Sequence, residues 1–119
     1  MLVVGDKFEV GDGYDMEPKW LHGRSAPFRG SVLRFLDNGI EGRKEEERLS
    51  AVVRFEEEIE FEGLRSRFGL LVLRYEKQRW TDSGIVHVHL VSEEPVTKIS
   101  LTKADSRWME SHAYYRKTA

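Results

Sequence analysis

The feature that most constrains the fold of this 119-residue chain is an alternation of apolar and polar residues with a period of two. It is clearest between residues 49 and 62, where apolar side chains alternate with residues that are mostly glutamates. The apolar positions are Leu49, Ala51, Val53, Phe55, Ile59 and Phe61. Because successive side chains of a β-strand point to opposite faces, this pattern predicts strands with one buried and one solvated face. The segment could be one long strand or two strands that break near Glu57, and usual strand lengths favour the break.

The same period recurs along most of the chain and predicts a mainly β protein. Further strands are predicted at residues 2–10, 31–36, 69–75 and 85–91, with a sixth near residues 97–101. Turn signals rich in Asp, Asn, Ser and Gly separate several of these segments. Since the length suits a single domain, we expect residues 1–119 to form one small, strongly bent antiparallel barrel or roll of five to six strands.

The last segment of the chain has a different period. Its aromatic and apolar side chains recur at i, i+1, i+4 and i+7, which is one stripe of an α-helix. They are Trp108, Met109, His112 and Tyr115. Asp105 suits the N-cap of such a helix. We therefore predict a short C-terminal helix over residues 102–117, docked on the sheet or closing an open end of the barrel.

Composition and missing motifs exclude several functions. The chain has no cysteine, so it cannot form a disulfide framework, a cysteine–zinc site or a thiol nucleophile. None of its serines lies in a Gly-x-Ser-x-Gly elbow, and it has no Walker loop or dinucleotide fingerprint. We therefore expect a non-enzymatic protein. Nothing in the sequence indicates a signal peptide or a membrane span, so we also expect a cytoplasmic protein with no membrane partner.

The first two thirds of the chain resemble the SH3-like small barrels. The resemblance covers residues 1–76 and depends on pattern. Its features are Gly-Asp-x-Phe-x-Val at residues 5–10, a long loop, and Ala-Val-Val-Arg-Phe at residues 51–55. SH3-like barrels are mostly binding modules for peptides, RNA or partner domains, so the resemblance implies binding more than catalysis.

The long loop after the first strand is the leading candidate for a partner surface. Residues 11–30 contain Tyr14, Met16 and Trp20. Loops of this length in compact domains are usually functional or packed by their own aromatics, and Trp and Tyr are common anchors at interfaces. We therefore predict that Tyr14, Met16 and Trp20 bind a protein partner of an adaptor or regulatory protein. The alternative is that Trp20 folds back and closes the barrel end.

Two histidines, His87 and His89, lie one residue apart in a predicted strand. The residues that alternate with them, Val86, Val88 and Leu90, are all apolar and form the better core face. The histidines should therefore point outward or into a shallow second layer. They are candidates for the partner surface. With a third ligand from another strand they would also suit a divalent metal, which makes a metal-binding protein or small metalloenzyme the alternative function. Because His-x-His alone is a weak signal, we expect no resident cofactor.

A single-stranded nucleic acid binder is the third alternative. Basic and aromatic side chains are interleaved over residues 65–80, as in grooves that stack bases. They are Arg65, Arg67, Arg74, Lys77 and Arg79, with Phe68, Tyr75 and Trp80. The net charge of −2 and the neighbouring glutamates would repel phosphates, so nucleic acid is disfavoured. The glutamates are interpreted as an exposed face paired with bases on adjoining strands.

Overall fold

The computed structural model describes residues 1–12 and 27–118. They form a closed antiparallel barrel in which each strand pairs with its sequence neighbours and the last strand pairs with the first. The strands are β1 (Lys7–Asp12), β2 (Phe28–Asp37), β3 (Leu49–Phe61), β4 (Leu64–Leu73), β5 (Ser83–Val91) and β6 (Ser106–Lys117). The prediction of a small, mainly β antiparallel barrel is confirmed.

The barrel interior is filled by the apolar side chains that alternate along the strands. Fully buried examples are Phe8, Val10, Val32, Ala51, Val53, Phe55, Leu71, Val86, Val88, Leu90, Ala113 and Tyr115. Phe55 lies at the centre of an aromatic group, with its ring 6.4 Å from that of Phe8 and 6.1 Å from that of Phe28. Burial of each such large side chain stabilises the fold by about 1.5–3 kcal/mol relative to exposure.

Strand β3 is continuous, so the predicted break near Glu57 is wrong. The ladder between β3 and β4 passes from the pair Arg54–Phe68 directly to the pair Ile59–Ser66. Several β3 residues therefore bulge out opposite a single β4 residue, which bends the strand without ending it. The bulge explains why the alternation is interrupted at Glu57 although the strand continues.

The predicted C-terminal helix is also wrong, because residues 106–117 form strand β6. In the described part of the chain the helical structure is a short 3₁₀ turn at Glu45–Glu47. Strand β6 pairs with β5 on one side and with β1 on the other. The β5–β6 register shifts between Val86 and Val88 and again between Val88 and His89, and each shift inserts one extra residue into β6. These two bulges break the period of two and produce a spacing that imitates a helical stripe.

The connection between β5 and β6 folds back over the outside of the barrel. Residues 97–101, where a sixth strand was expected, belong to this connection and have no strand structure. Its Ile99 packs on an outer apolar cluster centred on Val52 and Leu70. The ends of the connection are joined by a 2.8 Å hydrogen bond from Ser92 N–H to the Asp105 carbonyl. The outer face of β3–β5 is therefore covered by a small second apolar layer.

Gly69 on β4 lies where an interior side chain approaches the backbone closely. A Cβ atom at this position would lie 2.6 Å from the Phe55 ring and 2.9 Å from the His89 carbonyl oxygen. The hydrogen at this position is what lets the Phe55 ring occupy the centre of the barrel. No helix in the described residues is long and apolar enough to cross a membrane.

Candidate functional site

The candidate site is an apolar pocket of about 270 Å³ on the outer face of the barrel. Its floor is formed by β4 and β5, where the cross-strand partners are Leu70 with His89 and Val72 with His87. On the other side of β5, the cross-strand partner of His89 is Trp108 of β6. Ser50 of β3 and residues of two connecting segments supply the remaining walls. We call this site the His–Trp pocket; its lining residues are Asn38, Ile40, Ser50, Leu70, Val72, His87, His89, Ile99, Leu101 and Trp108.

The two histidines lie in the second layer, on the face that the alternation predicts. The intervening side chains, Val86, Val88 and Leu90, are buried inside the barrel. Both imidazoles contact Trp108. The His89 ring is stacked on the indole with a centroid distance of 5.8 Å and an interplanar angle of 25°, and the His87 ring meets it edge-on at 5.5 Å. The indole therefore forms a common wall over both imidazoles.

The environment keeps these imidazoles neutral at pH 7. Burial, and to a smaller extent the neighbouring His87, lowers the pKa of His89 to about 4. Burial also lowers the pKa of His87, followed by the positive charges of Arg74, Arg43 and His112. Neutral imidazoles add apolar, flat surface to the pocket without a counter-ion. At neutral pH the pocket therefore behaves as an aromatic site.

One buried nitrogen in the pocket wall is unsatisfied. The Nδ1 atom of His87 has no hydrogen-bond partner among the residues that the structure describes. An unpaired buried polar atom costs roughly 1–3 kcal/mol, and native proteins keep few of them. An unpaired imidazole nitrogen therefore lies in the wall of the apolar pocket.

The described residues do not assemble a metal centre around the histidines. Residues 1–12 and 27–118 contain no group of three or more His, Cys, Asp or Glu side chains placed to hold an ion. His112 is exposed, and its Nδ1 atom lies 3.1 Å from the hydroxyl of Ser111. His22 lies outside the described residues. The immediate neighbour of His87 and His89 is an indole, which does not ligate metals.

Two arginines make the surroundings of the pocket positive. The guanidinium of Arg43 donates to the Leu73 carbonyl at 3.1 Å, and that of Arg74 donates to the Ser111 carbonyl at 2.5 Å. Arg74 also lies over the Tyr75 ring, 5.2 Å from its centroid. Because these hydrogen bonds go to neutral carbonyls, they do not neutralise the arginine charges, and both charges lower the pKa of His87.

The loop residues predicted to bind a partner, Tyr14, Met16 and Trp20, lie outside the described residues. Of the predicted partner-binding residues, the structure places His87 and His89, and it brings both into one pocket.

The interleaved basic and aromatic residues of the nucleic-acid hypothesis do not share one surface. Trp80 is buried at one end of the barrel, where its indole N–H donates to the Leu49 carbonyl at 2.6 Å. Phe68 packs in the outer apolar cluster, while Tyr75 is exposed. Arg65 pairs with Glu60 at 3.0 Å, as expected for the glutamate face. A stacking groove needs several accessible aromatic rings in line, and this arrangement does not supply them.

Trp108 is the main site residue that the sequence does not identify. It was assigned to the buried stripe of a helix, whereas it lies on the outside of a strand. Leu101 and Ile40 were also missed, because they reach the pocket from connecting segments whose course depends on tertiary packing. The one sequence signal that could have indicated the site is the His-x-His pair, which places two amphipathic rings on the face opposite the core.

No family model matches this chain, and comparisons with curated proteins and with solved structures find no match. The function is therefore inferred from the geometry of the site.

Proposed function

We propose that this protein is a non-enzymatic binding module that recognises a protein partner by accepting one apolar side chain in the His–Trp pocket. The observation that carries the proposal is the exposure of large apolar side chains around a concave site. Trp108 is 59% exposed, Leu101 45% and Ile40 37%. Contiguous exposed apolar surface on a small domain usually marks an interaction site.

The size of the pocket supports a single anchoring side chain. Small-molecule sites usually enclose roughly 300–1,000 Å³, and this pocket is slightly smaller. Interface hot spots are commonly one Trp, Tyr or aliphatic side chain that fills a desolvated pocket on the partner. The neutral rings of His87, His89 and Trp108 would pack against such an anchor by ring contacts.

The charge around the pocket favours an acidic partner segment. Arg43 and Arg74 lie near His87 and donate to backbone carbonyls. Carboxylates flanking an apolar anchor would gain favourable contacts with these guanidinium groups. The small antiparallel barrel is also the architecture of SH3-like binding modules. The prediction from sequence that Tyr14, Met16 and Trp20 bind the partner remains part of the proposal.

The test is selection from a displayed random-peptide library on the immobilised protein, followed by affinity measurement on single peptides. We expect the selected peptides to share one large apolar residue with acidic neighbours. Trp108→Ala should weaken their binding at least tenfold, because the exposed indole forms one wall of the pocket. Since Trp108 is 59% exposed, the variant should remain folded, with only a small decrease in unfolding temperature from the lost contacts with His87 and His89.

The matched control is Val96→Ala. Val96 lies on the same β5–β6 connection as Leu101, is 54% exposed, and does not line the pocket. It should bind the selected peptides with unchanged affinity. Failure to enrich a common anchor, or equal loss of affinity in the two variants, would contradict the proposal. Trp20→Ala in the same assay tests whether the long loop contributes.

A further inference from the structure

The end of the barrel that holds Trp80 opens into a second apolar chamber of about 600 Å³. It shares no lining residue with the His–Trp pocket. Its wall is mostly apolar, with Glu46 and Arg79 as its charged members; the apolar residues include Val3, Val4, Phe35, Leu49 and Trp80. Its volume lies within the usual range of small-molecule sites, and the mouths of β-barrels are among the places where such sites occur.

The floor of the chamber is held in a fixed arrangement. The Trp80 indole donates to the Leu49 carbonyl at 2.6 Å. Its ring lies 5.6 Å from the ring of Phe35 and 5.4 Å from that of Tyr115. The wall above it is anchored as well, since Leu2 N–H donates to the Trp80 carbonyl at 3.3 Å. A preorganised apolar surface of this kind binds a ligand without first having to be ordered.

The rim of the chamber leaves apolar side chains in water. Val3 is 43% exposed and Val4 is 59% exposed, and both line the chamber together with the buried Trp80. Covering these side chains would remove apolar surface from solvent, which favours an occupant with an apolar body.

A polar pocket adjoins the chamber at Arg79, which lines both. It also contains Lys44, Lys77, Glu76 and Glu47. The carboxylate of Glu47 is buried and already accepts the backbone N–H groups of Lys44 at 3.1 Å and Lys77 at 2.9 Å. The exposed groups of this pocket are therefore three cations and the carboxylate of Glu76. A second exposed carboxylate, that of Glu46 in the chamber wall, lies 3.7 Å from Arg79, so the exposed groups at the junction keep one net positive charge.

The charge of Arg79 is only loosely engaged. Its nearest acidic partner is Glu46 at 3.7 Å, and both side chains are more than half exposed. Exposed pairs at such a distance contribute little and are readily replaced. Arg79 is thus available to a charged group that arrives at the junction of the two pockets.

We infer that the two adjoining pockets form a binding site for a small amphiphile with one anionic head group. Its apolar chain lies in the chamber over Trp80. Its head group meets Lys44, Lys77 and Arg79 in the polar pocket. Because the site is separate from the His–Trp pocket, the inference does not depend on the proposed partner recognition.

The experiment is a titration of ¹⁵N-labelled protein with octanoate, decanoate and decanol below their micelle-forming concentrations. We expect saturable shifts at the amides of Val3 and Val4 and at the Trp80 indole N–H. Each buried methylene should raise affinity about three- to fourfold, so decanoate should bind roughly tenfold more tightly than octanoate. Decanol should bind more weakly than decanoate, because it lacks the charge.

Two variants separate the head-group contact from the chain contact. Arg79→Gln should weaken decanoate binding about five- to tenfold and leave decanol binding unchanged, since it removes a charge-assisted contact. The matched control, Arg54→Gln, changes an exposed arginine on the outside of β3 and should alter neither. Val4→Glu places a charge at the chamber mouth and should abolish binding of both ligands while leaving the fold intact.

Several outcomes would overturn the inference. Decanol binding as tightly as decanoate would refute the head-group site, and shifts that do not saturate or that spread over the barrel would show non-specific adsorption only. The last arm uses sedimentation with vesicles of an anionic phosphoglycerol lipid. Vesicle binding without decanoate binding would replace the free amphiphile with a membrane surface and so overturn the inference. Decanoate binding without vesicle binding would support it.

Discussion

Burial of His89 should make the barrel lose stability as the pH falls below 6.5, before most carboxylates titrate. The pKa of this histidine falls from its ordinary 6.5 to about 4 in the folded protein, mainly through burial. The unfolded chain therefore binds a proton between these two values while the folded protein does not. Since protons then favour the unfolded state, the free energy of unfolding must decrease as the pH falls through this window.

The size of the effect follows from the same two values. Each pH unit below 6.5 lowers the free energy of unfolding by about 1.4 kcal/mol, which gives roughly 2 kcal/mol at pH 5. Below pH 4 the contribution levels off at about 3 kcal/mol, because both states are then protonated. Well above pH 6.5 the histidine is neutral in both states and contributes no pH dependence. Small domains have total stabilities of about 5–15 kcal/mol, so the loss is large enough to measure.

The assay is urea unfolding at pH 7.5, 6.5, 5.5 and 5.0 for the natural protein, His89→Gln and His112→Gln. Glutamine cannot be protonated, so His89→Gln should lose the part of the decrease between pH 6.5 and 5.0 that His89 contributes. A remaining decrease is expected from His87, whose pKa is also lowered by burial. His112→Gln removes an exposed histidine outside the pocket and should retain the full decrease. If the natural protein and His89→Gln show parallel curves, the imidazole is not held neutral by burial and the assigned geometry of the His–Trp pocket is wrong.

Two further substitutions test the packing of the barrel. Gly69→Ala places a Cβ atom 2.6 Å from the Phe55 ring, so it should destabilise the protein by about 1–3 kcal/mol. The loss is measured as a lower midpoint of thermal unfolding. An unchanged midpoint would show that the Phe55 ring can move aside. Trp80→Phe removes the hydrogen bond to the Leu49 carbonyl and should lower the free energy of unfolding in urea by about 1–3 kcal/mol. A decrease below about 0.5 kcal/mol would mean that a water molecule replaces the indole N–H as the donor to this carbonyl.

The strands that keep a strict period of two were predictable from the sequence. In β5, for example, the alternation assigns Val88 to the core and His87 and His89 to the outside, as the structure shows. The pattern succeeds there because each side chain of a half-buried strand experiences only two environments, the interior and the outer surface.

Strand β6 was not predictable, since its two bulges shift the phase of the alternation. Trp108 and Met109 are adjacent in sequence but face opposite sides of the barrel, one exposed and one buried. A local pattern cannot show where an extra residue has been inserted, because the insertion is defined by the partner strand.

The candidate site was only half predictable for a related reason. The His-x-His pair identifies the floor of the His–Trp pocket, but its far wall comes from Ile99 and Leu101 on a connection that folds back over the barrel. That connection has no regular period, and its course is decided by the apolar cluster on which Ile99 packs.

The pairing of β1 with β6 has a kinetic consequence. The other pairings join strands that are neighbours in the sequence, whereas the β1–β6 ladder joins residues about a hundred positions apart, such as Val10 and Tyr115. Closing so long a loop has the largest entropic cost of any step in building the sheet. The five hairpin pairings can form early as a curled meander, and the rate of folding is then governed by how readily its two outer strands meet. Until they do, both strands are free edges, and it is in this interval that neighbouring chains can pair with one another.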